Sequence, residues 1–329
     1  MAPTFSSSPP PKRLKKSGNC SFSAPSAVNK DQQPCECETS LKLLTFNMAR
    51  CQPSKAAPLS WTQSDSFEAL EKAILKEDPK PDVVALQEAP LFVLGRNTAF
   101  QDYKLIGSRS SHAPFVALFV HRRWKAEQVN SDFIEQYDFE GLPAVMAVID
   151  ISKSHEGKKE SEENRRLLWV ASVHLEPFAG GARIRNRQLR ALAEQARAAH
   201  TPLIIAGDTN MRVSEDENAE IDLGLQDIWK LSGSNIMTKY TWNTRDELQK
   251  GGNFNQFYGS NTREYVARYD RLYAVNPAAA SSSDGQQGLH TLSVNSFRLF
   301  ANKPIGESKR HFLSDHFGIV ADVRIKWLI

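Results

Sequence analysis

Nearly every run of this chain with strand character is apolar on both faces, and that leaves few ways to fold it. The runs are "LKLLTF" (41–46), "DVVALQ" (82–87), "FVALFV" (115–120), "AVMAVID" (144–150), "LLWVASV" (167–173), "LIIAG" (203–207), "RYDRLYAV" (268–275) and "FGIVADVRI" (317–325). A strand with one wet face alternates apolar and polar residues; one that is apolar nearly throughout has both faces covered. Between them, "FEALEKAILKE" (67–77) places Phe67, Leu70 and Ile74 on one helical face, with Pro79 and Pro81 to stop it. A second helix, "RIRNRQLRALAEQARAA" (183–199), places Ile184, Leu192 and Ala196 near one stripe, with its arginines elsewhere. Many strands, two clear helices and no repeat predict two sheets packed in the middle, with helices outside, in one domain.

The 329 residues, 40% hydrophobic, suffice for a sizeable core. Lys plus Arg number 41 against 38 for Asp plus Glu, a balance that permits a phosphate-rich partner without demanding one. The cysteines, Cys20, Cys35, Cys37 and Cys51, have no CxxC spacing, so a reduced, intracellular protein without structural zinc is expected. The longest apolar stretches fall far below the roughly 20 residues of a membrane span. The N-terminus also lacks the apolar core of a secretory signal, and no membrane partner is expected. Residues 1–39, rich in Ser, Pro, Lys and Gln, read as a disordered basic tail ahead of a domain over 40–329. In that tail Lys12, Arg13, Lys15 and Lys16 have the composition of a nuclear localisation signal, or of a solvated basic tail. Segments 213–239 and 245–264 read as long polar insertions without structure of their own, and 152–166 as an exposed charged hairpin tip.

Polar residues recur where strands end. Asn47 follows "LLTF", Glu88 follows "VVALQ", His174 follows "VASV", Asp208 and Asn210 follow "LIIAG", and Asp315 and His316 precede "FGIV". One such residue is ordinarily a turn former or a cap. Several are different, because a shared sheet brings its strand ends onto one rim, where a polar cluster is costly unless it binds something. Glu88, Asp208, Asn47 and Asn210 are hard oxygen donors suited to Mg²⁺ or Mn²⁺, and two histidines without clustered cysteines argue against zinc. Asp208 with Asn210 can hold and deprotonate a water, and His174 and His316 can donate to a phosphate as charge builds on it. Asp270 is a candidate to orient one imidazole. The set amounts to a metal-assisted phosphoester hydrolase. "SDH" (314–316) is not a Ser-His-Asp relay, since adjacent residues of an extended chain point to opposite sides. No GxxxxGK[ST] phosphate loop occurs, which excludes an ATPase of that kind.

The motifs "TFN" (45–47), "LQE" (86–88), "VHLE" (173–176), "GDTNMR" (207–212), "YDRLY" (269–273) and "SDHFG" (314–318), in this order, resemble the endonuclease/exonuclease/phosphatase superfamily. That resemblance implies the DNase I-like fold, a four-layered α/β sandwich of two central mixed sheets flanked by helices. The run "GDTNMR", "LQDIWKL" (225–231), "YTWNT" (240–244) and "RYDRLY" is similar, within it, to the tyrosyl-DNA phosphodiesterase 2 group. What this second resemblance implies is that Glu88 binds Mg²⁺ with help from Asn47, that Asp208 and Asn210 position the attacking water, and that His174 and His316 hold the scissile phosphate. Asp270 would orient His316, and Arg212 and Trp242 would line the substrate groove with Asp315 beside them. Core packing is the competing role for Trp242, and a plain surface cation for Arg212. Tyr258 and Tyr265 are further candidates to stack on unpaired bases. The chain departs from the group at Ala49, Pro177, Ala179 and Phe317, all on the substrate side. The expected activity is removal of a 5′-tyrosyl adduct from single-stranded or 5′-ended DNA by a monomeric repair enzyme, nuclear or both nuclear and cytoplasmic. Alternatives on the same fold are an abasic-site endonuclease, a deadenylase or an inositol polyphosphate 5-phosphatase; outside catalysis, the alternative is a scaffold.

Overall fold

Alternation along the central strands decides the layering. In β1 (Glu36–Asn47), Leu41 and Leu43 enter one apolar cluster while Leu44 and Phe46 enter another. β2 (Val83–Ala89) repeats this with Val83 and Ala85 against Val84 and Leu86. On the other side, β8 (Leu203–Asp208) sends Ile204 and Ala206 into the first cluster, and Leu203 and Ile205 into a third. A period of two with both faces apolar therefore serves two cores at once. The shared cluster lies between two sheets, and the others lie under the helices.

This computed structural model describes residues 36–53, 57–90, 100–109, 115–129, 144–152, 165–243, 265–277, 290–305 and 311–328. The first sheet takes the order β13 (His290–Phe300), β14 (Gly318–Leu328), β1, β2, β4 (Phe115–His121), β3 (Tyr103–Arg109). The second runs β5 (Lys125–Gln128), β6 (Ala144–Asp150), β7 (Leu167–His174), β8, β12 (Asp270–Val275), β9 (Leu225–Asp227). Each is mixed: β1 and β2 are parallel, as are β7 and β8, among antiparallel neighbours. A small ladder joins β10 (Trp242–Asn243) and β11 (Val266–Ala267).

Helix α1 (Gln63–Leu75) starts at a capping box of Thr62 and Asp65 and buries Phe67, Leu70 and Ile74 on the first sheet. It ends ahead of Pro79. Helix α2 (Ala182–Ala198) lays Leu189, Leu192, Ala193 and Ala196 on the second sheet. Helix, sheet, sheet and helix make the four-layered α/β sandwich.

Several expectations need correction. β1 begins at Glu36 and pairs Glu36 to Thr39 with Leu328 to Ile325, so the ordered domain starts before residue 40. The polar segment 213–239 is not structureless: it holds α3 (Val213–Ile221), β9 and α4 (Ile228–Leu231). Its acids and amides masked the helices because those charges sit in first turns and on wet faces. On α2, Arg185 lies on the buried face, and Ile184 is only half-buried. Strands β3, β5, β9 and β13 carry too few apolar residues to stand out. The basic run at 12–16, most of 152–166, segment 245–264 and Tyr258 lie outside the described residues.

Candidate active site

The parity that builds the inter-sheet core also builds the site. Residues 41, 43 and 45 of β1 face the second sheet, and so Asn47 does too; residues 204 and 206 of β8 face the first, and so Asp208 does too. Where the apolar pairs run out, these two meet: Asn47 Nδ2 donates to Asp208 Oδ2 at 3.0 Å. One step inward, Gln87 Nε2 donates to Ser172 Oγ at 3.2 Å, again across the sheets. His174 follows Ser172 at the same parity, and Asp270 precedes the inward-facing Leu272 and Ala274. Both therefore join the rim, His174 beside Asp208 in the parallel register and Asp270 opposite it. Close approach of β7 and β8 requires Gly207, where a Cβ would fall 2.0 Å from Val173 O.

Glu88 breaks the parity. The β2–β4 register shifts between Leu86 and Ala89, and Glu88 takes φ 47°, a backbone conformation uncommon for a side-chain-bearing residue. The bulge turns its carboxylate to the rim, 3.5 Å from Asn47 Nδ2 and 3.7 Å from Arg50 Nε. Asn47 Oδ1 accepts from Ala49 N at 3.0 Å, so Asn47 stands as a donor to the two carboxylates and its own oxygen is already engaged.

His316 arrives on the loop before β14. Its Nδ1 lies 2.8 Å from Asp270 Oδ2, and its Nε2 3.8 Å from Asp208 Oδ2, which is also 3.6 Å from His174 Nε2. Thr241 fixes this corner: its hydroxyl accepts from the backbone N–H of Tyr269 and Asp270, and its carbonyl accepts from Phe317 N. Burial works against a charged His316, but Asp270 and then Asp208 outweigh it and hold the imidazole proton well above its ordinary range. Burial likewise disfavours the Asp208 anion; His316, His174 and the donors of Asn210 and Asn47 overcome it and keep the carboxyl below the usual range. Asp208 is thus a buried anion facing two imidazoles. Burial pushes Asp315 up to about 6, against the pull of His316 and with the charge of Glu88 adding to the rise.

Asn210, at φ 52°, donates its backbone N–H to Asp208 Oδ1 at 2.9 Å and its Nδ2 to Leu175 O at 3.0 Å. Its amide oxygen faces neither of those partners. Arg212 lies with its guanidinium carbon 4.6 Å above the Tyr269 ring. Trp242 is 7% exposed and sits edge-on to His316, centroids 4.9 Å apart, with the more exposed Tyr265 stacked on it at 6.3 Å. It is a buried wall behind the histidine, and Tyr265 is the face a ligand could reach. Asp315 is buried and accepts from Ser314 Oγ. Asn47, Glu88, His174, Asp208, Asn210, Asp270 and His316 therefore share one rim, with Arg212 and the aromatics on its flank.

As a triple, Asp208, Asp270 and His316 have ligand atoms within 4.8 Å of one another. The 2.8 Å contact of His316 with Asp270 makes this a hydrogen-bonded relay. Glu88, partly open at 28% side-chain exposure, has the better access for a hard cation. Tyr269 and Thr241 lie inside the motifs "YDRLY" and "YTWNT" without being singled out there, and Arg185 escapes sequence reasoning, since nothing in its local pattern separates it from the other arginines of α2.

The sequence profile of the Endonuclease/Exonuclease/phosphatase family matches residues 44–316, from "LTFN" to His316. The chain belongs to this family. Among curated members, tyrosyl-DNA phosphodiesterase 2 of Danio rerio is 30% identical over 111 residues, 32% of this chain and 27% of that one. The 5′-tyrosyl-DNA phosphodiesterase of Caenorhabditis elegans is 25% identical over 215 residues, 62% of this chain and 52% of that one. The match thus spans about a quarter and about half the length of these relatives. Of solved structures, Danio rerio TDP2 complexed with single-strand DNA product superposes with TM-score 0.58 over 87% of this chain and 99% of that one, at 19% identity. Caenorhabditis elegans TDP2 does so at 0.56 over 88% and 75%, at 18% identity. These structures share the fold.

Proposed function

We propose that this chain is a divalent-cation-dependent phosphodiesterase that hydrolyses a phosphoester at a DNA end and releases a 5′-tyrosyl adduct during DNA repair. One observation carries the reading: a buried Asp208 anion faces two imidazoles at 3.6 and 3.8 Å, beside the open carboxylate of Glu88. Those separations are too wide for direct hydrogen bonds, and an oxygen held at the side of either pair can reach both of its members. Asp208, with the Asn210 amide oxygen, orients a water and takes its proton as the oxygen attacks phosphorus. His316, protonated and held by Asp270, and His174 donate to the phosphate oxygens as negative charge grows on them. The bond from phosphorus to the leaving oxygen then breaks, and the 5′-phosphate stays on the DNA. A tyrosyl oxygen suits this, because a phenol of pKa about 10 leaves more readily than an alkyl alcohol.

The donor set fits a hard cation, since the rim presents carboxylate and amide oxygens and no thiolate among the described residues. Glu88 would hold the ion and Asn47 would steady that carboxylate. A bound Mg²⁺ supplies positive charge to the phosphate oxygens. Arg212 and the Tyr265–Trp242 pair offer a cation and a stacking face to single-stranded DNA. The names of the curated relatives support the tyrosyl substrate, and the basic run at 12–16 supports a nuclear site of action.

Hydrolysis of matched oligonucleotides carrying a 5′-phosphotyrosine, a 3′-phosphotyrosine or an internal abasic site, with Mg²⁺ and with EDTA, tests the reading. Metal-dependent release of tyrosine from the 5′ end alone is expected. Cleavage of the abasic or 3′ substrate instead would replace it with another phosphodiesterase activity.

A further inference from the structure

Two guanidiniums at the second sheet and the helix that covers it have no solvent exposure, Arg185 on α2 and Arg271 on β12. A buried ion pair is seldom a net gain over apolar packing, so each calls for an account beyond stability. Arg271 donates to Thr209 Oγ1 at 2.8 Å and to Asp216 Oδ1 at 2.5 Å, under the turn that follows Asp208. Arg185 has the wider reach. Its Nε and Nη2 donate to the two oxygens of Glu215 at 2.9 and 2.7 Å, and its Nη1 donates to the carbonyls of Glu176 and Phe178 at 2.8 and 2.6 Å.

Glu176 and Phe178 lie in the loop that follows His174. Glu215 lies in the first turn of α3, just past Asp208 and Asn210. One side chain thus ties together the loops beyond two neighbouring catalytic strands. Phe178 is held at φ 66° and is 76% exposed, a conformation its own packing does not explain. Gly181 makes room for the brace, because a Cβ there would fall 2.9 Å from Arg185 Nη1 and 2.5 Å from Glu176 Cγ. Glu215 Oε1 also accepts the backbone N–H of Arg212 at 2.9 Å. The brace therefore ends on the residue whose guanidinium lies over Tyr269, and Arg212 Nη1 is buried without a hydrogen-bond partner among the described residues, a donor left in need of an acceptor.

We propose that Arg185 and Glu215 are positioning residues that aim Arg212 at an anionic oxygen of the substrate, so that this buried pair sets substrate affinity and leaves the chemical step alone. The proposal rests on the phosphodiesterase reading for the nature of that substrate.

The test uses the full chain and two readouts: steady-state hydrolysis of a 5′-phosphotyrosyl oligonucleotide with Mg²⁺, and binding of a fluorescent single-stranded oligonucleotide in EDTA. Glu215→Gln is expected to raise KM and Kd about tenfold, the scale of one lost charge-assisted contact, with kcat within about threefold. Arg212→Ala should do the same, and adding Glu215→Gln to it should cost little more, since the two act through one contact. Asp82→Asn is the control: it loosens a buried carboxylate at the opposite end of β2 and should lower stability with KM unmoved. If Glu215→Gln fails to fold, Arg185→Lys, which keeps the charge and loses the fork, takes its place.

A full Glu215→Gln effect in the Arg212→Ala background, or a loss of kcat at constant KM, overturns the proposal. Protein that binds the oligonucleotide without cleaving it overturns the reaction, while the binding arm still judges the brace. Protein that does neither overturns both.

Discussion

Asp208 is costly where it stands: a carboxylate with 2% exposure, made tolerable by two imidazoles and two amide donors. Asp208→Asn keeps the shape and removes the charge. We expect kcat to fall by about 10²–10⁴, the range for losing a general base, while thermal stability is unchanged or rises. A folded Asp208→Asn variant with near-normal turnover would remove it from the mechanism. Glu88 differs, being partly open and held at positive φ by the β2 bulge. For Glu88→Gln the concentration of Mg²⁺ giving half-maximal rate should rise by more than about tenfold, as expected when an anionic ligand turns neutral. An unaltered Mg²⁺ titration would place the ion elsewhere.

At the scale of elements, the site depends on how closely β7 and β8 approach, since that spacing sets His174 against Asp208. Gly207→Ala puts a Cβ 2.0 Å from Val173 O, a backbone atom that cannot swing aside. The strands must separate, at a cost of about 1–3 kcal/mol or more by the scale of overpacked cores, measured by urea unfolding. Activity should fall further than stability alone explains, because the two side chains part with their strands. Wild-type stability in this variant would show that the approach is not as tight as described. Much of this level is legible in sequence. The apolar runs mark both central pairs of parallel strands, and the spacing of Phe67, Leu70 and Ile74 marks α1. Helix α3 is missed because "VSEDENAEI" buries only Ala219, and its acids serve first-turn contacts that the one-dimensional pattern does not display.

For the whole molecule, two histidines are held neutral by the fold. Burial pushes His311 down, edge-on to Trp61 and with its Nε2 lacking a hydrogen-bond partner among the described residues. Burial and then Arg123 push His121 down, against the opposing charges of Asp82 and Asp102. A folded pKa below the unfolded value of about 6.5 means that the unfolded chain binds more protons. Stability from these groups is complete above that value and is lost as pH falls through the range beneath it. His316 and Asp315, whose protons the folded chain holds more tightly than the unfolded one, contribute in the opposite sense between pH 7.5 and pH 5. The check is therefore a difference: in thermal unfolding scans His311→Leu should gain on the parent protein as pH falls, and a constant difference would mean that His311 carries none of the loss. The sequence by itself determines the layering and the polar rim, because period and parity are local: once residues 41 and 43 face inward, Asn47 must too. Only the tertiary structure decides that Glu88 turns out of register, that Trp242 backs His316 as a wall, and that Arg185 joins two loops 9 and 30 residues away along the chain. Each depends on which strand lies beside which and in what register, and that is settled by packing among residues far apart in the chain.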